Sequence, residues 1–287
     1  MAKIKIICDS AADIPKETAE KFGIRVLPLW YTFDGENYMA DGIDMTNKEF
    51  FDKMRTEKSL PKTSQVTAPQ WEEAFREELE GGADEILCFT MSSAASGTCQ
   101  SANIAKNEVL ADFPDADITI VDSMALSFTY GLAITKVAPM VSEGKSGAEI
   151  IEEYNRIMSK MVYFFLVEDL EYLKKGGRIN LATLTLANIM DIKPILTLRD
   201  GLVVSCDKIR GGKRLYDKFM QMYKDKGYML EGKDIYVVHS LEDERAEAFC
   251  EAANAAFNPS KINVIELGST IGSHAGPGLS AVVYIKD

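Results

Sequence analysis

The sequence is poor in several features that would have fixed a function class at once. It has only two histidines, and its five cysteines (Cys8, Cys88, Cys99, Cys206, Cys250) are odd in number, widely spaced and without a C-x-x-C pair. That pattern argues against a disulfide framework or a zinc knuckle and fits reduced, mostly buried thiols. No catalytic metal cluster is suggested. No stretch approaches the ~20 apolar residues of a membrane span, and the apolar run at the N-terminus stops at Asp9, too early for a signal peptide. The expected location is the cytoplasm. A net charge of −12 and a pI near 4.8 leave no basic stripe for nucleic acid, and at most transient contact with an anionic membrane.

What remains is a soluble globular composition, 46% hydrophobic and 26% charged, over 287 residues. That length suits two ordinary domains. Short apolar runs rich in β-branched residues alternate with helical patterns, the signature of βαβ units and a parallel sheet. In the first half the pattern predicts strands at Ile4–Cys8, Arg25–Trp30, Glu85–Phe89 and Ile118–Val121. Helices are predicted near Pro15–Phe22, Asn47–Arg55, Pro69–Glu80, Gly97–Leu110 and Tyr130–Ser142. A polar, glycine-punctuated connector at Ser142–Ala148 leads into a helix Glu149–Lys160, which puts a domain boundary between residues 158 and 159. Beyond it the strands are Met161–Val167, Pro194–Leu198, Val203–Lys208, Ile235–His239, Ile262–Glu266 and Ala281–Ile285, with helices Leu181–Ile192, Lys213–Lys226 and Asp243–Ala256. Asp200-Gly201 reads as a two-residue hairpin, so the second sheet is mixed. The expected fold is α/β: a doubly wound, mostly parallel domain over 1–158 and an α+β domain with a mixed sheet over 159–287, with a ligand between them.

Three segments carry chemistry. In Ser92–Thr98, Ser96 stands ahead of a helix whose Ala102, Ala105 and Val109 recur at helical spacing. Its hydroxyl therefore sits where unpaired backbone N–H groups point outward, and Gly97 permits close approach. Such a helix start, with Ser96 and Thr98, suits a carboxylate or a phosphate, although simple helix capping explains it as well. In Lys174-Lys175-Gly176-Gly177-Arg178, the arginine lies on a tight turn from which it can fork onto an anion. The alternative there is a helix C-terminus, with the lysines on its negative end and Gly176 as the cap. In the loop expected at Gly272–Gly278, His274 sits among small residues. The Gly276-Pro277-Gly278 run is not a dinucleotide fingerprint, because too little chain follows to build a βαβ unit.

In order along the chain, Asp9-Ser10 with Asp13, Thr63-Ser64-Gln65, Ser96-Gly97-Thr98 with Gln100-Ser101-Ala102, Asp122-Ser123, Lys175–Ile179 and His274 with Gly276-Pro277-Gly278 resemble the DegV family. These are bacterial fatty-acid-binding proteins that include the FakB-type subunits of fatty acid kinase. The resemblance implies a long-chain fatty acid, and no cofactor, whose carboxylate is held by Thr63 and Ser96 with Gly97 and Thr98 at the helix start and with His274 and Arg178 nearby. It implies a carrier without catalytic residues, serving a separate kinase subunit that makes acyl phosphate for an acyltransferase of phospholipid metabolism. Arg210 falls where relatives have a basic residue implicated in kinase docking. Three departures flank the site: Ala95 for a leucine, Val66-Thr67 for Pro-Ser, and Ala281 for a glycine. All three bear on the shape of the acyl tunnel. Candidates to line it are Phe89, Phe128, Phe164, Phe165 and Leu186, each equally readable as core. Burying ~16 carbons at ~0.8 kcal/mol each supplies on the order of 12 kcal/mol, provided the carboxylate finds partners.

Two other readings use the same residues. In one, Ser96 is a nucleophile with His274 as base and Asp9 or Asp122 as orienting acid, although the G-x-S-x-G elbow is missing. In the other, the helix start cradles a phosphorylated metabolite.

Overall fold

The computed structural model describes residues 3–57, 60–180, 182, 192–212 and 214–287. The first half runs β1 (Ile4–Asp9), a 3-10 turn at Ser10–Ala12, α1 (Lys16–Phe22), β2 (Arg25–Leu27), β3 (Trp30–Thr32), β4 (Met39–Ala40), α2 (Asn47–Thr56), β5 (Lys62–Ser64) and α3 (Ala68–Glu80). It continues through β6 (Glu85–Thr90), α4 (Thr98–Asp112), β7 (Asp117–Asp122), α5 (Phe128–Val137), α6 (Pro139–Ser142) and α7 (Gly147–Lys160). The second half contains β8 (Met161–Leu166), α8 (Leu170–Gly176), β9 (Ile192–Arg199), β10 (Leu202–Arg210), α9 (Leu215–Asp225), β11 (Asp234–His239), α10 (Asp243–Phe257), β12 (Lys261–Glu266), α11 (Ser269–Ala275) and β13 (Ser280–Ile285).

Strands β2-β1-β6-β7 form an all-parallel sheet in that order. Its central strands β1 and β6 are almost continuously apolar and buried, as a parallel sheet covered by helices requires, whereas the edge strands β2 and β7 are mostly half-buried. Ala74 and Phe75 of α3, Ala102, Ala105 and Val109 of α4, and Ile150, Tyr154 and Ile157 of α7 pack into the same core. Helix α7 begins at a capping box in which Ser146 and Glu149 satisfy each other's backbone N–H. The second sheet has the order β10-β9-β8-β13-β11-β12 and is mixed: β11 and β12 run parallel, and the other neighbours are antiparallel. The β9–β10 hairpin turns at Asp200 and Gly201, both with positive φ (52° and 76°), as a two-residue turn of the primed type demands.

Several expectations need correction. Arg25–Trp30 is not one strand, because Pro28 removes a ladder donor and restricts Leu27. Instead β2 pairs with β1, whereas β3 joins a separate small sheet of order β4-β3-β5. The helix expected over Tyr130–Ser142 divides at Pro139, which cannot donate the hydrogen bond needed to continue it. His274 is in the last turn of α11 and not in a loop. The lysines of the Lys174-Lys175-Gly176-Gly177 turn close helix α8, but the cap is Gly177 in the left-handed region (φ 69°), one residue after the predicted one. Of the helix expected at Leu181–Ile192, residues 181 and 183–191, with the candidate tunnel residue Leu186, lie outside the described residues, and Ile192 opens strand β9.

The six-stranded sheet has two dissimilar faces. Side chains alternate across a strand, so Val162, Phe164 and Leu166 of β8 pack with Phe219, Tyr223 and Phe249 of α9 and α10. Tyr163 and Phe165 face the other way, toward the first core. Beside them, Ala281 and Val283 of β13 are in register with Phe165 and Tyr163. Helix α11 belongs to the C-terminal half in sequence but packs on α2, β3 and β5.

Candidate functional site

A cavity of about 510 Å³ opens between the inner face of the mixed sheet and the loops and helix starts of the first half. Tyr163, Phe165, Leu198, Val203, Val238, Ala281 and Val283 wall it from the sheet. Leu29, Met91, Leu126, Leu173, Ile271 and Leu279 are among the other apolar lining residues. The size falls within the ~300–1,000 Å³ of small-molecule sites.

Polar groups cluster where α11 ends. Thr63 Oγ1 lies 2.9 Å from His274 Nε2, a contact between residues 211 positions apart. The other ring nitrogen, Nδ1, is buried without a hydrogen-bond partner among the described residues and lies over Gly176, where any Cβ would press on the imidazole. Arg178 is fixed by two backbone carbonyls, with Nε donating to Ala95 O at 3.0 Å and Nη1 to Gly176 O at 2.6 Å. The arginine thus bridges the α8 turn to the loop before Ser96. Burial, reinforced by the Arg178 charge, pushes the His274 pKa down to about 4, so the ring is neutral at pH 7.

Ser96 and Gly97 line the same cavity, with Ser64 and Gln65. Helix α4 starts one residue later than expected, with Gly97 as its N-cap. Ser96 Oγ accepts Thr98 N–H (3.2 Å) and shares a hydrogen bond with Thr98 Oγ1 (2.9 Å). Thr98 itself is fully buried and supports Ser96 without lining the cavity. Gly97 is required here, since a Cβ would collide with the Gln65 amide, which is anchored by donation to Ser101 Oγ at 2.8 Å. The spacing of Thr63-Ser64-Gln65 alone gave Gln65 no such role.

Of the candidate tunnel residues, Phe165 lines the cavity and three others do not. Phe89 packs on Tyr154 (centroids 4.6 Å apart) under the parallel sheet, Phe128 packs on Tyr236 (5.4 Å), and Phe164 points to the outer core against Tyr223 (5.1 Å). Apolarity alone could not tell these faces apart. Arg210 is exposed at the far end of β10 from the hairpin turn, on an edge strand, away from the cavity lining.

The hydrolase arrangement is not assembled. His274 Nε2 meets Thr63, not Ser96. Asp122 accepts Ser93 and Met124 N–H, and Asp9 accepts Ala11 N–H, Met91 N–H and the Tyr130 hydroxyl, so both carboxylates are spent on local structure. The phosphate reading also fares poorly, because Arg178 is the one lysine or arginine lining the cavity among the described residues. A single permanent cation and a largely apolar wall suit a monoanion with a hydrophobic body.

The sequence model of the family described as "Uncharacterised protein, DegV family" matches residues 3–287. This chain belongs to the DegV family. A DegV domain-containing protein of Clostridium perfringens is 36% identical, over 100% of this chain and 99% of that protein. Among solved structures, a fatty-acid-binding DegV family protein from Thermus thermophilus superposes with a TM-score of 0.87 at 31% identity, covering all of both chains. A stearic-acid-binding protein from Eubacterium ventriosum gives 0.89 at 30% identity, over 100% of this chain and 98% of that one. DegV family structures thus bind fatty acids, and this DegV chain has their mixed α/β fold. No helix among the described residues is long and apolar enough to cross a membrane.

Proposed function

We propose that this DegV protein is a carrier of one long-chain fatty acid, its carboxylate held at Thr63, Ser96 and Gly97 with Arg178 and His274 beside it and its tail in the cavity. The observation that carries the reading is the Thr63–His274 contact beside a fixed arginine, at the edge of an otherwise apolar space of about 510 Å³. In the tautomer protonated at Nε2, the neutral imidazole donates to Thr63 Oγ1, which leaves the threonine O–H free to donate to the ligand. Ser96 adds a second hydroxyl, Arg178 the compensating charge, and Thr98 backs Ser96 from the protein side. A buried carboxylate needs such donors together, or its desolvation would cancel the gain from burying the tail. The reading treats residues 1–158 and 159–287 as two domains that enclose the acid. The fatty-acid-binding relatives of the same fold support it.

The finer part of the proposal is a cytoplasmic carrier that presents its acid to a separate kinase subunit, whose acyl phosphate passes to an acyltransferase, with the exposed Arg210 at the docking surface. Solvent extraction of the purified protein followed by mass spectrometry tests the core claim. A stoichiometric fatty acid is the expected result, and a phosphorylated metabolite overturns it. For docking, Arg210→Glu should leave fatty-acid affinity unchanged and lower acyl-phosphate formation with the kinase at least tenfold. Unaltered turnover in that coupled assay removes Arg210 from the interface.

A further inference from the structure

The cavity contains a second polar region that a plain hydrocarbon tail would leave unused. Thr270 lines it and is 2% exposed, yet its Oγ1 is buried without a hydrogen-bond partner among the described residues. Thr129, 5% exposed and in the first turn of α5, also lines it, and its hydroxyl makes no hydrogen bond among those residues. Ser127, two positions before Thr129, is another lining residue. One Asp13 carboxylate oxygen accepts the Ser127 hydroxyl at 2.5 Å and the other accepts Gly268 N–H at 3.0 Å, which ties Ser127 to the N-cap of α11, two positions before Thr270. Ser127, the N-cap of α5, adopts φ 58° and ψ −160°, a positive-φ extended conformation that residues other than glycine rarely adopt. Main-chain N–H groups in the first turn of a helix have no partner within it.

Buried hydroxyls are almost always paired, so an orphan on a cavity wall marks a missing partner. Thr270 precedes His274 by four residues, about one helical turn or 5.4 Å along α11. At carbon–carbon bonds of about 1.5 Å, that is roughly four carbons beyond a carboxylate held at Thr63. Resting on the fatty-acid reading above, we infer that the preferred ligand is an oxygenated fatty acid whose in-chain hydroxyl meets the wall formed by Ser127, Thr129 and Thr270. A hydroxyl suits this wall because it can donate to one threonine and accept from the other or from the α5 start, whereas a methylene leaves all of them unsatisfied.

Calorimetric titration of delipidated protein should compare hexadecanoic acid with its monohydroxy isomers substituted at successive carbons. The expected result is that one isomer, with its hydroxyl in the carboxyl half of the chain, binds about tenfold tighter than the plain acid, the gain for one satisfied buried hydroxyl. Thr270→Val, which keeps the shape and removes the oxygen, should erase that preference, so that the plain acid and the favoured isomer bind alike. Thr129→Val provides an independent check if the first variant unfolds. Equal binding of the plain acid and every isomer, or a preference that survives both substitutions, overturns this inference, as does a plain-acid complex in which an ordered water satisfies Thr270 and no isomer gains. If no fatty acid binds at all, the carrier reading itself has failed.

Discussion

At the residue scale, the site depends on how one histidine is kept neutral. Burial and Arg178 hold the His274 pKa near 4, below its ordinary value of about 6.5. Between those pH values the unfolded chain takes up a proton that the folded chain refuses, so this group makes stability rise with pH through that window and level off above it. Asp9 acts with the opposite sign. Burial raises its carboxyl to about 6, so below that pH the folded state keeps a proton that the unfolded state has lost, and stability falls as pH climbs from about 4 to 6. The two partly offset each other, and only their separation is informative. In ligand-free protein, urea unfolding of wild type and His274→Gln should diverge with pH between 4 and 6.5 and run parallel above it. Parallel curves throughout would mean that the imidazole titrates normally. For ligand affinity, Thr63→Val and Ser96→Ala each remove one donor to the carboxylate and should weaken fatty-acid binding by about 1.5–3 kcal/mol, some tenfold or more, as read by titration.

At the level of elements, strand β8 separates stability from recognition by simple alternation. Phe164 is locked among Tyr223 and Tyr228 in the outer core, while its neighbour Phe165 lines the cavity. Phe164→Ala should therefore cost about 3–5 kcal/mol of unfolding free energy and leave fatty-acid affinity intact under conditions where the variant is folded. Phe165→Ala should cost less stability and shift acyl-chain preference toward bulkier tails. Denaturant melts paired with titration of a chain-length series would decide this, and swapped effects would mean that β8 presents its other face. The alternation itself was readable in the sequence. Its orientation was not, because all six residues from Met161 to Leu166 are apolar or aromatic and either face could have been turned inward.

For the whole molecule, the structural question is what holds His274 over a site built from the other end of the chain. Two carboxylates from the N-terminal half accept the opening amides of α11: Asp13 takes Gly268 N–H, and Asp41 takes Ser269 N–H at 2.9 Å. The opening amides of a helix have no partner within it, and here the groups that satisfy them lie 255 and 228 residues away in sequence. Asp41 further accepts Ser10 Oγ, so it ties three segments together. Asp41→Ala should lower stability by about 2–4 kcal/mol, because buried donors are left unpaired, and should weaken fatty-acid binding although Asp41 does not line the cavity. Calorimetric melting and titration measure the two effects. Loss of stability with full affinity retained would show that α11 is positioned by packing alone, through Gly272 against Phe50 and Phe51.

Local chemistry settled the alternation of strands and helices, the β9–β10 turn, the capped start of α7 and the hydroxyls grouped around Ser96, because each depends on residues a few positions apart. The departures also had local causes, Pro28 and Pro139, whose effects a longer apolar pattern concealed. Folding in three dimensions decided the rest: the pairing of Thr63 with His274, the anchoring of Arg178 on Ala95 O, the support of Gly97 by Gln65, and the choice of Phe165 over Phe89, Phe128 and Phe164 as cavity wall. Periodicity states which side chains share a face, but which face meets a cavity depends on the elements that pack against it, and those come from distant parts of the chain.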